Sequence, residues 1–162
     1  DGSVYAGISN GDPMYAMPCD IGQTWNGSAC TGTRSTIAYG SYGTVRGINS
    51  LDNGEANTNA LATFGQAAHP AAFACADSTF GGKSDWYLPA SNELSDLYDA
   101  SSTGDLNGTF ANGGADLPYW SSTEDPAPAD ADEYAYLRYM NDNTLDWNWK
   151  SDTMYVRCVR KD

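Results

Sequence analysis

Residues 134–161 read YAYLRYM-NDN-TLDWNWK-SD-TMYVRCVRK, and their patterning decides how the chain folds. Aromatic and charged residues alternate through two short runs, and the stretch closes on Val156-Arg157-Cys158-Val159-Arg160. A period of two, broken by Asn141-Asp142-Asn143 and Ser151-Asp152, predicts three antiparallel strands joined by tight turns. Both faces carry large side chains: Tyr134, Tyr136, Arg138 and Met140 on one, Ala135, Leu137 and Tyr139 on the other. Tyr, Trp, Arg and Asn at this density are what recognition surfaces use, because rigid amphipathic rings gain contact area at low entropic cost. The competing reading is a sheet covered on both faces by loops.

Alternation also divides the next run. Trp147 and Trp149 share one face, and Asp146, Asn148 and Lys150 share the other. Exposed tryptophans would make a stacking platform for sugar rings or a hydrophobic protein anchor. Buried tryptophans would leave the Asp146/Asn148/Lys150 face as the contact surface. Tyr119, Tyr136 and Arg138 are the next candidates, and Asn141, Asp142 and Asn143 in the turn complete the ligand-binding set.

Working outward, 162 residues predict one domain, residues 1–162. Eight Lys and Arg against 21 Asp and Glu give a formal charge of −13. That argues against nucleic acid, polyanions and anionic membranes, and it permits Ca²⁺, cationic proteins and neutral glycans. None of the four cysteines (Cys19, Cys30, Cys75, Cys158) forms a C-x-x-C pair, and the single His69 cannot complete a zinc site with them. Their even number predicts two disulfides and an oxidising, extracellular compartment. Three pairings are open. Cys19–Cys30 would close a short Gly-rich loop, and Cys75–Cys158 would tie a helix to the final strand. No apolar run approaches the roughly 20 residues of a membrane span. Asp1 reads as a processed start, with a leader, stalk or anchor ahead of it.

Ser3–Ser9 alternates into Asn10-Gly11, a type I′ hairpin signal, and Met14–Met17 returns as the second strand. Residues 19–56 read as a loop insertion, with short strands near Thr36–Tyr39 and Thr44–Ile48. Helical spacing over 57–76 is interrupted by Pro70, which ends one helix near Ala68 and opens another carrying Phe73 and Cys75. His69 is a hinge or cap. Ser91–Ala100 has Leu94, Leu97 and Tyr98 at helical spacing with Glu93 in the first turn. Residues 101–118 are loop, Tyr119–Glu124 a strand, and 125–132 an exposed acidic loop. Catalysis is not expected, because the sole histidine sits beside a proline with no nucleophile adjacent. Calcium is a candidate cofactor at Asp142 and Asp146, and a second acidic group is Asp130, Asp132 and Glu133. Asn26-Gly27-Ser28 and Asn107-Gly108-Thr109 fit glycosylation sequons.

Three ordered motifs now carry a resemblance: Asp85-Trp86-Tyr87-Leu88-Pro89-Ala90-Ser91-Asn92-Glu93-Leu94, Tyr119-Trp120-Ser121-Ser122-Thr123-Glu124, and Val156-Arg157-Cys158-Val159-Arg160. Together they resemble the C-terminal domain family of the Legionella collagen-like adhesin, found in bacterial and phage surface proteins. The resemblance implies an α+β, C-type-lectin-like fold. In it two helices pack on a small twisted antiparallel sheet with long loops, and the N- and C-terminal strands are adjacent. It also implies a Cys75–Cys158 bridge. The chain departs from the family at Ala90, where Ser or Thr commonly caps the helix, and in its 19–56 insertion. Lectin calcium signatures are absent. The namesake adhesin binds sulfated polysaccharides, which a charge of −13 opposes. The expected function is adhesion or attachment at a cell surface: a glycan or protein ligand is recognised through the C-terminal strands and turns, without catalysis. Two alternatives are the globular head of a pilin or other filament subunit, self-associating through the same surface, and a diversifiable receptor-binding protein.

Overall fold

A computed structural model describes residues 1–111, 118–127 and 129–162. Part of the loop expected over 101–118, and Pro128 of the acidic loop, lie outside the described residues. Among the described residues, ten strands and three α-helices follow one another. Val4–Ser9 (β1) and Asp12–Ala16 (β2) form the first hairpin. Asn10 and Gly11 both take positive φ, 52° and 90°, as a type I′ turn requires. Thr24–Trp25 (β3), Cys30–Thr31 (β4) and Ile37–Ala38 (β5) are short. The helices are Gly54–Ala62 (α1), Pro70–Ala76 (α2) and Ser91–Ala100 (α3). Tyr119–Glu124 (β6), Tyr134–Arg138 (β7), Leu145–Trp149 (β8), Thr153–Met154 (β9) and Val159–Lys161 (β10) complete the chain.

The strands make four small sheets: β1-β2-β10, β3-β4, β5-β9 and β6-β7-β8. The architecture is α+β, with three helices where the resemblance implied two. The C-terminal strand lies beside the N-terminal hairpin, with β10 on β2 rather than on β1. The third run of the opening stretch does not join β7 and β8. It splits: β9 pairs with β5 and β10 with β2. At the break over 155–158, Arg157 turns inward, and its Nε donates to Asp20 Oδ1 at 2.6 Å while its Nη groups donate to the carbonyls of Met17, Pro18 and Thr109. The backbone beside it bonds outside both ladders: Tyr155 with Pro118 and Trp120, the Val156 carbonyl with Ile21 N and the Cys158 carbonyl with Met17 N.

Two further expectations are corrected. Thr44–Ile48 is not a strand, because the Glu124 carboxylate takes the backbone N–H groups of Arg46 and Gly47 at 2.6–3.0 Å. The first helix runs from Gly54 to Ala62, not from Asn57 to Ala68: Asn53 Oδ1 caps it by accepting from Ala56 N, and Thr63 ends it. Gly54 is required there, since a Cβ would collide with the Glu93 carboxylate and the Ala90 backbone. Ala90 offers α3 no side-chain cap. Its place is taken by Glu93, which accepts from Ala90 N and Gly54 N, and by Thr123 Oγ1, which accepts from Ser91 N.

The disulfides are Cys19–Cys30 and Cys75–Cys158. The second joins α2 to the residue before β10, inside a core that includes Leu61, Trp86, Leu88, Trp120, Leu137 and Val156. A second cluster packs Met14, Tyr87, Leu94, Leu97, Tyr119 and Val159 between α3 and the β1-β2-β10 sheet. Among the described residues, no helix is long and apolar enough to cross a membrane.

Candidate ligand-binding face

The site grows from the hairpin of β7 and β8. Directly opposed residues share a face, so the register Tyr134↔Trp149, Tyr136↔Trp147 and Arg138↔Leu145 places four rings on one side. Ala135 and Leu137 point the other way and are buried in the core. That burial fixes the register: a one-residue slip would turn the rings inward. Trp147 is 55% exposed, Trp149 49% and Leu145 45%. Tyr134 and Tyr136 are half-buried beside them. Trp149 Nε1 donates to Tyr134 Oη at 3.0 Å and ties the two rings at one end. The two tryptophans are therefore outside, with the tyrosines half-covered beside them.

The turn between the strands is built from its own side chains. Asn143 takes φ 63°, a left-handed conformation that Asn tolerates. Its carbonyl and its Oδ1 accept from Arg138 Nη1 at 2.6 and 2.9 Å, and its Nδ2 donates to Ser95 Oγ on α3. Asp142 accepts from Thr144 N at 2.9 Å, and that bond holds its carboxyl below the ordinary range. Asp146 and Asn148 have a distinct task. β8 is an edge strand, and the N–H groups of Trp147 and Trp149 point away from β7. Asp146 Oδ1 accepts from Trp147 N at 2.9 Å, and Asn148 Oδ1 from Trp149 N at 2.8 Å. The outward donors of Trp147 and Trp149 are thus each capped by the residue before them.

Several candidate residues are not on the surface. Tyr119 is fully buried: its hydroxyl donates to Asp20 Oδ2 and accepts from Ala111 N, and burial raises its pKa. Arg138 is buried under the turn, where burial lowers its pKa. Lys150 is completely buried, and its parity with Asn148 puts it on the side of the sheet that faces the core. Its Nζ donates to Glu124, to the Ala131 carbonyl and to the Thr44 carbonyl. These three are frame, not contact surface. The Lys150–Glu124 pair joins the end of β8 to the 44–47 loop and to the 125–133 loop, and so fixes one wall of the site. Asn141 is exposed but lines a different cleft, with Tyr98, Asp99 and Asn107. Asp142 and Asp146 are both engaged by backbone. Among the described residues, no group of three or more His, Cys, Asp or Glu is placed to hold a metal ion.

The fixed wall completes an open cleft of ≈ 390 Å³ beside the rings, between Tyr134, Tyr136 and Trp147 on the sheet and Asp125, Ala127 and Asp130 on the loop. Burial first, then the nearby Asp125, raises the Tyr136 hydroxyl pKa. Leu145, Asp125 and Asp130 extend the site beyond the residues that alternation selected. Leu145 carried a usable signal, being in phase with the tryptophans. Asp125 reaches the cleft only through the fold of its loop. A second cleft, ≈ 260 Å³ between Met17–Trp25 and Phe80, has Asp20 as its only charge. That carboxylate is consumed by Arg34, Arg157 and Tyr119.

His69 is the N-cap residue of α2, fully buried, with Nε2 accepting from Arg46 Nε at 3.1 Å. Burial, then Arg46 and Lys150, lower its pKa to about 4, so it is a neutral acceptor at physiological pH. No curated protein matches the chain. The family model of the Lcl C-terminal domain matches residues 21–160.

Proposed function

The chain belongs to the Lcl C-terminal domain family, and on that premise we propose that it is a C-type-lectin-like recognition domain, performing no chemistry, that holds an external glycan or protein on the outer face of β7 and β8. An adhesin-related domain with two disulfides fits an extracellular or surface protein. The observation that carries the reading is the pair of opposed ring pairs, Tyr134–Trp149 and Tyr136–Trp147, left open on a face whose reverse is packed in the core. Large exposed rings on a rigid support are the usual anchors of recognition.

The filament alternative draws less support. Assembly by strand addition needs free edge donors. On β8 those of Trp147 and Trp149 are already taken by Asp146 and Asn148.

The test is a glycan and protein array read with and without Ca²⁺, comparing the parent with Trp147→Ala. Trp147 is half exposed, so its loss leaves the fold intact. Truncating a central ring is expected to weaken binding by about 2 kcal/mol, roughly thirtyfold in Kd. Chelation should leave binding unchanged, because both turn carboxylates serve backbone donors. Equal binding by parent and variant across the array would remove this face from consideration.

A further inference from the structure

All eight cationic side chains of the chain are engaged internally. Six are ion-paired: Arg34 and Arg157 with Asp20, Lys83 with Asp1, Lys150 with Glu124, Lys161 with Glu93, and Arg160 with Asp1, Asp85 and Asp162. The remaining two are held by neutral groups. Arg46 stacks on Phe64 and donates to His69, and Arg138 donates to Asn143 and Ser91. Among the described residues the paired carboxylates belong to six acids, Asp1, Asp20, Asp85, Glu93, Glu124 and Asp162, so the surface field is set mostly by carboxylates outside these pairs. Among the described residues, Asp125 and Asp130 have no Lys or Arg within ion-pair distance. They form the loop wall of the cleft whose other wall is Tyr134, Tyr136 and Trp147.

Aromatic faces carry negative quadrupoles, and a cation among them gains most when carboxylates close the cage. A sulfate or phosphate placed there would meet two carboxylates and no donor cation. A neutral sugar would stack on the rings and donate hydroxyls to the acids, but it would leave their two negative charges unbalanced. We propose that this cleft receives a lysine or arginine side chain from a basic segment of a partner protein. The ring face continues past the cleft to Trp149 and Leu145, which gives the flanking residues of an extended segment apolar surface to cover. This inference rests on the recognition reading above and names the chemistry of its ligand.

The experiment is an amide and indole NMR titration of the intact domain with a short Lys/Ser peptide. Parallel arms use its Gln-for-Lys twin, dextran sulfate, a neutral oligosaccharide and phosphatidylcholine vesicles. The expected result is a shift of the Trp147 indole and of the Tyr136 and Asp130 amides with the lysine peptide alone, weakening as salt rises. Trp147→Ala and Asp130→Asn should each reduce that affinity, the first roughly fivefold and the second roughly threefold. Asp130 is exposed, so its replacement does not threaten folding. Equal shifts from the glutamine twin, tighter binding of dextran sulfate, or lysine-peptide shifts confined to residues outside the cleft would overturn the inference. So would a response to the vesicles, which would make a lipid headgroup the occupant. If only the neutral oligosaccharide perturbs the rings, the cation inference falls and the recognition reading stands. If no arm touches the face and the arrays are blank as well, both fall.

Discussion

The sheets β1-β2-β10 and β6-β7-β8 are both three-stranded and antiparallel, and both end on an exposed edge carrying large apolar side chains. They protect that edge differently. On β1, Tyr5 and Ile8 are 55% and 57% exposed, and the ladder to β2 shifts register between them, around Gly7 at φ 94°. An irregularity of this kind twists the strand and spoils it as a template. β8 keeps five consecutive pairs with β7 and stays regular. Its Trp147 and Trp149 donors are covered instead by Asp146 and Asn148. The difference teaches that an exposed edge can be blunted in two ways: a deformed strand loses its flat face, and a strand whose donors are covered keeps it.

Each sheet is also tied down by a different bond, and the largest expected effect comes from breaking one of them. Cys75–Cys158 spans 83 residues and anchors the chain entering β10. Replacing both cysteines with alanine should cost about 4–5 kcal/mol in the chain-entropy account. Removing Cys19–Cys30, which spans 11 residues and anchors neither three-stranded sheet, should cost about 2–3 kcal/mol. Urea unfolding of the two variants measures both. Similar losses would show that β10 gains nothing special from its bridge.

Next is the buried pair that ties β8. Lys150→Met leaves Glu124 buried without its cation, at an expected cost of about 3–4 kcal/mol. Hydrogen exchange should find the β7–β8 amides losing protection while the β1–β2 hairpin keeps its own. Simultaneous loss in both sheets would mean that they open as one unit.

Acid should distinguish the sheets through His69. Its folded pKa of about 4 lies below the unfolded value near 6.5, so the unfolded chain binds the proton more readily. The neutral-histidine contribution is complete above pH 6.5 and is lost as pH falls towards 4. The loss is on the order of 2 kcal/mol after allowance for relaxation. His69→Gln should flatten that part of the stability profile between pH 7 and 4.5. An unchanged slope would place the titration elsewhere. Because His69 accepts from Arg46, whose backbone N–H binds Glu124, the sheet tied by Lys150 should feel acid first.

The smallest stability change is expected from Asp146→Ala combined with Asn148→Ala. Two exposed hydrogen bonds are lost, about 1 kcal/mol in all. The readout is sedimentation: with the β8 donors uncovered, the double variant should self-associate with rising concentration while the parent does not. A variant that stays monomeric would show that edge capping is not what keeps β8 unpaired.

Local patterns were legible in the sequence, and distant partners were not. The β7–β8 hairpin, the Asn10-Gly11 turn and α3 follow from residues within a few positions of each other. Alternation also grouped the tryptophans correctly and offered exposure as one branch. Lys150 shows the limit. Alternation grouped it with Asp146 and Asn148, a contact surface only if the tryptophans were buried, and nothing near it in sequence announces that Glu124, 26 positions earlier, holds its ammonium inside. Thr44–Ile48 reads as a strand until the same Glu124 claims two of its N–H groups. In the break of the last run Arg157 meets its charge in Asp20, 137 positions away. Buried ionic pairs carry no periodic signature, so neither pattern nor propensity announces them.

The tryptophans divide sharply by environment. Trp86 and Trp120 are sealed in the core and Trp25 is half-buried, whereas Trp147 and Trp149 stand open. The molecule therefore carries its own optical reporter. Acrylamide should quench a red-emitting population and spare a blue one in the unliganded domain. An occupant of the β7–β8 face should darken or shield the first and leave the second untouched, so docking can be followed without any label.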